Sequence, residues 1–213
     1  IIPPSVHSGG GIRLVIDGKA DLARVARRLT PEEAGKGLTA RVFAKDAVVF
    51  AVGAGVKARN LTIRQISDIF SGKIGTWQEL GAGKGEIRVL LREPGDSSLQ
   101  VIEEKYPEIR GLRFTERGKV AFHDREMLEM LEKYRNAIGF ISLSSLDAAS
   151  PLVTPVGIDG SVPTRENIGA GRYPLVTEYA LVYREGDLPP DARDFVDFLF
   201  SAAGRKSLSG HGL

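Results

Sequence analysis

The sequence has no cysteine, so disulfides, thiolate metal sites and thiol nucleophiles are excluded. Its three histidines, His7, His123 and His211, stand apart and give no metal-ligand spacing such as HExxH. No run approaches the ~20 apolar residues of a membrane-spanning helix. No basic segment followed by a long apolar one opens the chain, as a secretion signal would. The initiating Met is also missing, which reads as a processed or truncated start. Neither sign of charge dominates: 29 Lys and Arg stand against 27 Asp and Glu. Nucleic-acid-binding domains ordinarily carry a clear basic surplus, so that class is set aside, while a small anion held by a few local donors is not. There is no GxSxG elbow and no P-loop ending in GK[ST]. Gly53-Ala54-Gly55 lacks the third glycine and the later acid of a dinucleotide turn. Internal repeats and low-complexity tracts are absent.

Hydrophobic residues make up 42% of 213, enough for a packed core in one large domain or two small α/β lobes. Apolar patterns predict strands at Ile1-Ile2, 21–26, 47–52, 87–91, 138–143, 152–156 and 179–183. Between them lie helix signals. Thr30-Pro31-Glu32-Glu33 places Thr at the N-cap, Pro at the first helical position and Glu at the third. Thr62 and Gln65 form a second capping box, opening a helix to Phe70. Further helices are expected after Gly11, at 97–106, at 124–135 and as one long segment at 191–208 with Phe195, Phe198 and Leu199 inward. Strands alternating with helices imply an α/β fold with mainly parallel sheets. No Pro/Gly-rich linker divides the chain, so any passage between lobes runs through strands. Trp77 is expected to be a packing anchor.

Two segments could carry chemistry. His7-Ser8-Gly9-Gly10-Gly11 reads as a loop between a strand end and a helix start, where backbone N–H groups can meet an anion and Gly permits close approach. Ser8 adds a hydroxyl; the plainer reading is a capped turn. Arg92-Glu93-Pro94-Gly95-Asp96-Ser97-Ser98 also follows a strand and precedes a helix. Arg92 can fork onto two oxygens, and Ser97 and Ser98 can offer hydroxyls and amides. The plainer reading is a helix start, with Ser97 to Gln100 as a capping box. Asp96 is either a carboxylate acceptor favouring a proton-bearing oxyanion or an N-cap turned away from any ligand. Arg27 and Arg28 follow a strand, where α/β sheets bind ligands; one is expected to reach a ligand and the other to be solvated.

These segments resemble the substrate-binding proteins of phosphate-type ABC transporters. Ser8-Gly9-Gly10-Gly11-Ile12 is similar to that family's Ser/Gly anion loop, and Gly18-Lys19-Ala20-Asp21-Leu22 to the stretch leading to its arginine. Leu29 to Glu33 resembles its helix start. Ile66-Ser67-Asp68-Ile69-Phe70-Ser71-Gly72-Lys73-Ile74 through Trp77 is the most specific likeness. Arg92 to Ser98, Asn136 to Phe140 and Tyr173-Pro174-Leu175 follow in family order. Asp96, Ser97 and Ala26 stand where many relatives have Ser, Gly and Ser.

The resemblance implies an α/β, two-lobed type II periplasmic binding protein fold that lacks the first strand–helix unit. Lobe I is expected at 1–46 and 178–213, and lobe II at 47–177. A small oxyanion, phosphate first, is expected in an interlobe cleft, held by Ser8, Gly9, Gly10, Arg27, Arg92, Asp96, Ser97 and Ser98. Molybdate or sulfate is the alternative ligand, and an enzyme on a similar scaffold a more remote one. No catalytic residue, cofactor or metal is implied. The implied partner is a membrane permease of an ABC transporter, with the protein a monomer that is periplasmic or lipid-anchored at the cell surface and does not bind nucleic acid.

Overall fold

The structure, a computed structural model, describes residues 7–147 and 150–210. The expected Ile1-Ile2 strand and His211 lie outside them. In chain order the elements are α1 (His7–Ile16), β1 (Ala23–Val25), α2 (Pro31–Ala34), β2 (Thr39–Gly53), β3 (Asn60–Leu61), α3 (Ile63–Phe70), β4 (Arg88–Arg92) and α4 (Ser97–Lys105). There follow β5 (Lys119–Ala121), α5 (Asp124–Lys133), β6 (Ala137–Ser142), α6 (Leu143–Asp147), β7 (Val153–Ile158), α7 (Arg165–Gly169), β8 (Val176–Tyr183), α8 (Pro190–Phe200) and α9 (Ala202–Gly210). Two compact units result: Ile1–Asp46 with Thr177–Leu213, and Ala47–Val176. The chain leaves the first unit inside β2 and returns to it inside β8.

In the first unit β1 lies antiparallel to β8, with Ala23 opposite Val182 and Val25 opposite Ala180. Successive strand residues face opposite sides of a sheet. Ala180 and Val182 therefore join Ile12 and Val15 of α1, while Leu181 and Tyr183 join Val196 and Leu199 of α8. The C-terminal segment is two helices, not the single one expected. Ser201 is extended (φ −74°, ψ 169°), and its Oγ accepts from Gly204 N at 3.1 Å, which starts α9. The inward face also differs: Phe195 and Phe198 are 48% and 51% exposed, while Val196 and Leu199 are buried. The helical stripe is set by the β8 side chains it must cover, not by the largest aromatics in the segment.

In the second unit β2 sits between two antiparallel partners, β6 (Val48 opposite Ser142) and β7 (Phe50 opposite Val156). Beyond them β4 is parallel to β6 and β5, and β3 is parallel to β7. The sheet is thus mixed, which corrects the expectation of mainly parallel pairing. The antiparallel strand pairs β2–β6, β2–β7 and β1–β8 each involve the long β2 or its returning partner β8, and a run of apolar residues carries no sign of strand direction. Phe50, Phe70 and Phe140 meet with ring centroids 5.7 to 6.1 Å apart at the core. Trp77 is fully buried and donates from Nε1 to the Asn136 carbonyl at 2.9 Å. Gly53 has a packing cause: a Cβ there would lie 2.5 Å from the Tyr134 carbonyl oxygen and 2.8 Å from that of Arg135. Backbone meets backbone at that point, which removes the last reason to read Gly53-Ala54-Gly55 as a dinucleotide turn.

Candidate functional site

In the first unit, Ser8, Gly9 and Gly10 form the first turn of α1 itself and not a loop before it. The helix begins at His7, whose φ is +54°. Ser8 Oγ accepts from the Ala26 N–H at 3.1 Å, tying α1 to the end of β1. Gly9 lies against Arg27: a Cβ there would be 3.6 Å from Nη2. The structure therefore brings Ser8, Gly9 and Arg27 together. The Arg27 fork is already occupied, with Nη1 donating to Glu33 Oε2 and Nη2 to Glu33 Oε1, both at 2.8 Å. Glu33 is also the capping-box residue of α2, its Oε2 accepting from Thr30 N at 2.8 Å. One carboxylate thus starts a helix and orients an arginine. Arg28, by contrast, is 88% exposed and reaches Glu178 at 3.4 Å, a solvated pair.

The hydrogen bonds from Arg27, with lesser help from Thr30, hold the Glu33 carboxyl down at about 2, while the same bond raises the Arg27 guanidinium. A carboxyl depressed on folding adds stability that is full above its ordinary value of 4.5 and is lost as pH falls through about 2. Glu33→Gln should therefore flatten the acid limb of a stability–pH curve over that window. NMR titration of the side-chain carboxyls checks it, and a Glu33 that titrates like an exposed glutamate would contradict the bidentate pair.

In the second unit the expected residues form one cluster at the end of β4. Glu93 O accepts from Asp96 N at 3.2 Å, with Pro94 and Gly95 between them and Gly95 at φ +87°. That is the chemistry of a type II turn: Pro presets φ at the first central position and Gly alone is unstrained at the second. The turn delivers Asp96, not Ser97, as the N-cap of α4. Asp96 Oδ1 accepts from Ser98 N at 2.9 Å and Leu99 N at 3.1 Å, which corrects the expected Ser97–Gln100 box. Oδ2 accepts from Arg92 Nη2 at 2.8 Å in a pair whose side chains are 4% and 6% exposed. Ser97 and Ser98 are the first two residues of α4, half-buried beside it.

Four further groups, Asp124, the Phe122 carbonyl, Ser142 and Ser145, belong to this cluster and were not expected. Arg92 Nη1 donates to Asp124 Oδ1 at 3.0 Å, and Nη2 also approaches the Phe122 carbonyl at 3.4 Å. Asp124 Oδ2 in turn accepts from Ser142 Oγ at 2.6 Å and Ser145 Oγ at 3.1 Å. Asp124 opens α5, 32 residues after Arg92, and no local motif signals such a contact. Arg92 Nε is buried and meets no hydrogen-bond partner among the described residues. An open groove of about 740 Å³ elsewhere in the second unit, lined in part by Ile69, Gly72, Thr76, Ile87, Arg88 and Arg117, includes none of these residues.

The mixed α/β units are of the class of type II periplasmic-binding-protein folds, as the solved structures on which the chain superposes show. It belongs to the PBP superfamily, whose domain model matches residues 3–203. Among curated relatives, the phosphate-binding protein PstS of Bacillus subtilis is 28% identical over 94% of this chain and 66% of its own length. PstS of Borreliella burgdorferi is 23% identical over 96% of this chain and 76% of its own. Among solved structures, one from Clostridium perfringens assigned as a phosphate ABC transporter substrate-binding protein with bound phosphate superposes with a TM-score of 0.85. It is 27% identical, with 97% of this chain and 83% of that one covered. An ABC-type phosphate transport receptor from Vibrio cholerae gives a TM-score of 0.75 at 25% identity, covering 96% of this chain and 84% of that one.

Proposed function

We propose that this chain is an extracytoplasmic solute-binding protein that captures phosphate for an ABC-type uptake system and hands it to a membrane permease without chemical change. The observation that carries the reading is Arg92: a buried guanidinium where β4 gives way to α4, with an Nε N–H that meets no acceptor among the described residues. A buried charged donor left unpaired costs stability, and an oxyanion oxygen is the acceptor that guanidinium geometry fits best. Ser97 and Ser98, the first residues of α4, are the hydroxyls proposed to join it. In the first unit, taken by itself, Ser8, Gly9, Gly10 and Arg27 offer amides, a hydroxyl and a cation of the kind an oxyanion takes. Phosphate-binding relatives across nearly the whole chain support the same ligand.

The physical task is to replace the anion's water shell with a fixed set of donors, so discrimination follows the donor and acceptor count and not net charge. Titration calorimetry with phosphate, with sulfate and molybdate in parallel, tests the reading. Saturable heat with phosphate is expected, weakened at least tenfold by Arg92→Lys, which keeps the charge but loses the fork. Ser8→Ala should also weaken binding, since it removes a hydroxyl and leaves the Ala26 N–H without its acceptor. A folded protein that gives no heat with any of the three anions would remove the oxyanion reading.

A further inference from the structure

We infer that the Asp96 carboxylate is an internal anion that competes with the captured ligand for the donors of the second unit. The inference rests on the phosphate reading above. Asp96 Oδ2 takes a guanidinium N–H of Arg92, and Oδ1 takes the Ser98 and Leu99 amides at the start of α4. A guanidinium fork and a helix N-terminus are the two donor types that proteins present to oxyanions, and one carboxylate of this chain already bridges both. It is 3% exposed, so water and salt screen it little.

Capping alone does not require this residue. A serine hydroxyl caps a helix start about as well as a carboxylate does. What aspartate adds is charge. Asp124 Oδ1 takes a second N–H of the same arginine, so one guanidinium faces two carboxylates and the trio carries a formal charge of −1. An incoming oxyanion then finds Arg92 Nε without a partner among the described residues, the Ser98 and Leu99 amides taken and an adverse local charge. Removing the Asp96 charge should raise affinity, the reverse of what removing a ligand group does.

The test is phosphate calorimetry on the full chain as wild type, Asp96→Ser and Asp96→Asn. The serine keeps a capping hydroxyl; the asparagine keeps shape and capping oxygen; a thermal melt of each confirms folding. Both variants should bind phosphate at least tenfold more tightly, which is about 1.4 kcal/mol. Unchanged or weaker binding in folded variants, with the wild type binding, overturns the inference and leaves the phosphate reading intact; Asp96 then serves to position Arg92. Binding by the variants but not by the wild type upholds the inference and removes phosphate capture as the work of the natural chain. Absence of heat from all three proteins with phosphate, sulfate and molybdate overturns both.

Discussion

Replacing Arg92 with alanine will destabilise the second unit by about 3–5 kcal/mol, the range for breaking one side of a buried ion pair. The cause is the partner left behind. Asp96 is almost wholly buried, and without Arg92 its Oδ2 loses its charged donor. Asp124 suffers less, because Ser142 and Ser145 still donate to it and its side chain is 27% exposed. Adding Asp96→Asn to the alanine variant should therefore recover a good part of the loss, while an Asp124→Asn addition recovers little. Trp77 is the only tryptophan, lies in the second unit and is fully buried, so its fluorescence reports this unfolding directly. A loss under about 1 kcal/mol, the scale of an exposed pair, would show that the trio is solvated and not a buried network. The comparison also governs how binding data are read: weak phosphate binding by Arg92→Ala is informative only at temperatures where that variant is folded.

What could be read from the sequence was what the physics makes local. The boxes at Thr30 and Thr62 appear as expected, because a hydroxyl and a carboxylate or amide three residues apart satisfy each other's backbone whatever lies around them. The buried run 47–52 was equally plain. Its extension back to Thr39 was not, because residues 39–46 hold two basic residues, an acid and exposed positions among the apolar ones. Strand direction was not legible either, and with it went the antiparallel pairing of β2. The segment 191–208 reads as one continuous helix because Ser201 is an unremarkable residue in a helical run; only the structure shows its extended ψ and its hydroxyl restarting the chain as α9.

The candidate site divides in the same way. Arg92 and the serines after it could be found from strand-to-helix placement, and Arg27 from the end of β1. Their carboxylate partners could not. Glu33 was legible as a capping residue but not as the ligand of Arg27, since helix capping uses up the local signal. Asp124 is reached only through tertiary pairing of β4 with β5, which sets Ala121 opposite Arg92 and brings the start of α5 alongside. The sequence leaves Asp96 a choice between ligand acceptor and N-cap; the structure shows the N-cap, and its simultaneous grip on Arg92 depends on the turn at Pro94-Gly95 starting the helix one residue earlier than a Ser97 cap would.

Trp77→Ala will cost about 3–5 kcal/mol, the usual price of emptying a large aromatic site. The indole is 0% exposed, follows the Ile66–Ile74 stretch and sits where the segments 75–87 and 134–137 meet. Two separable effects add up there. Lost packing dominates, since truncation leaves a cavity that the surrounding backbone cannot close: Trp77 N is bonded to Gly85 O, Ala82 N to Trp77 O, and Arg88 N to Asn136 O. The indole hydrogen bond matters less, because the Asn136 carbonyl that accepts it at 2.9 Å also accepts from Arg88 N at 3.2 Å and stays satisfied without it. Trp77→Phe, which keeps most of the ring area, should therefore cost only about 1 kcal/mol. Urea unfolding followed by circular dichroism, needed because the fluorescent reporter is gone, checks both: a lower midpoint at unchanged slope for each, with the alanine shift several times the phenylalanine shift. Equal losses for the two variants would mean that the hydrogen bond and not the packing holds this corner of the second unit together.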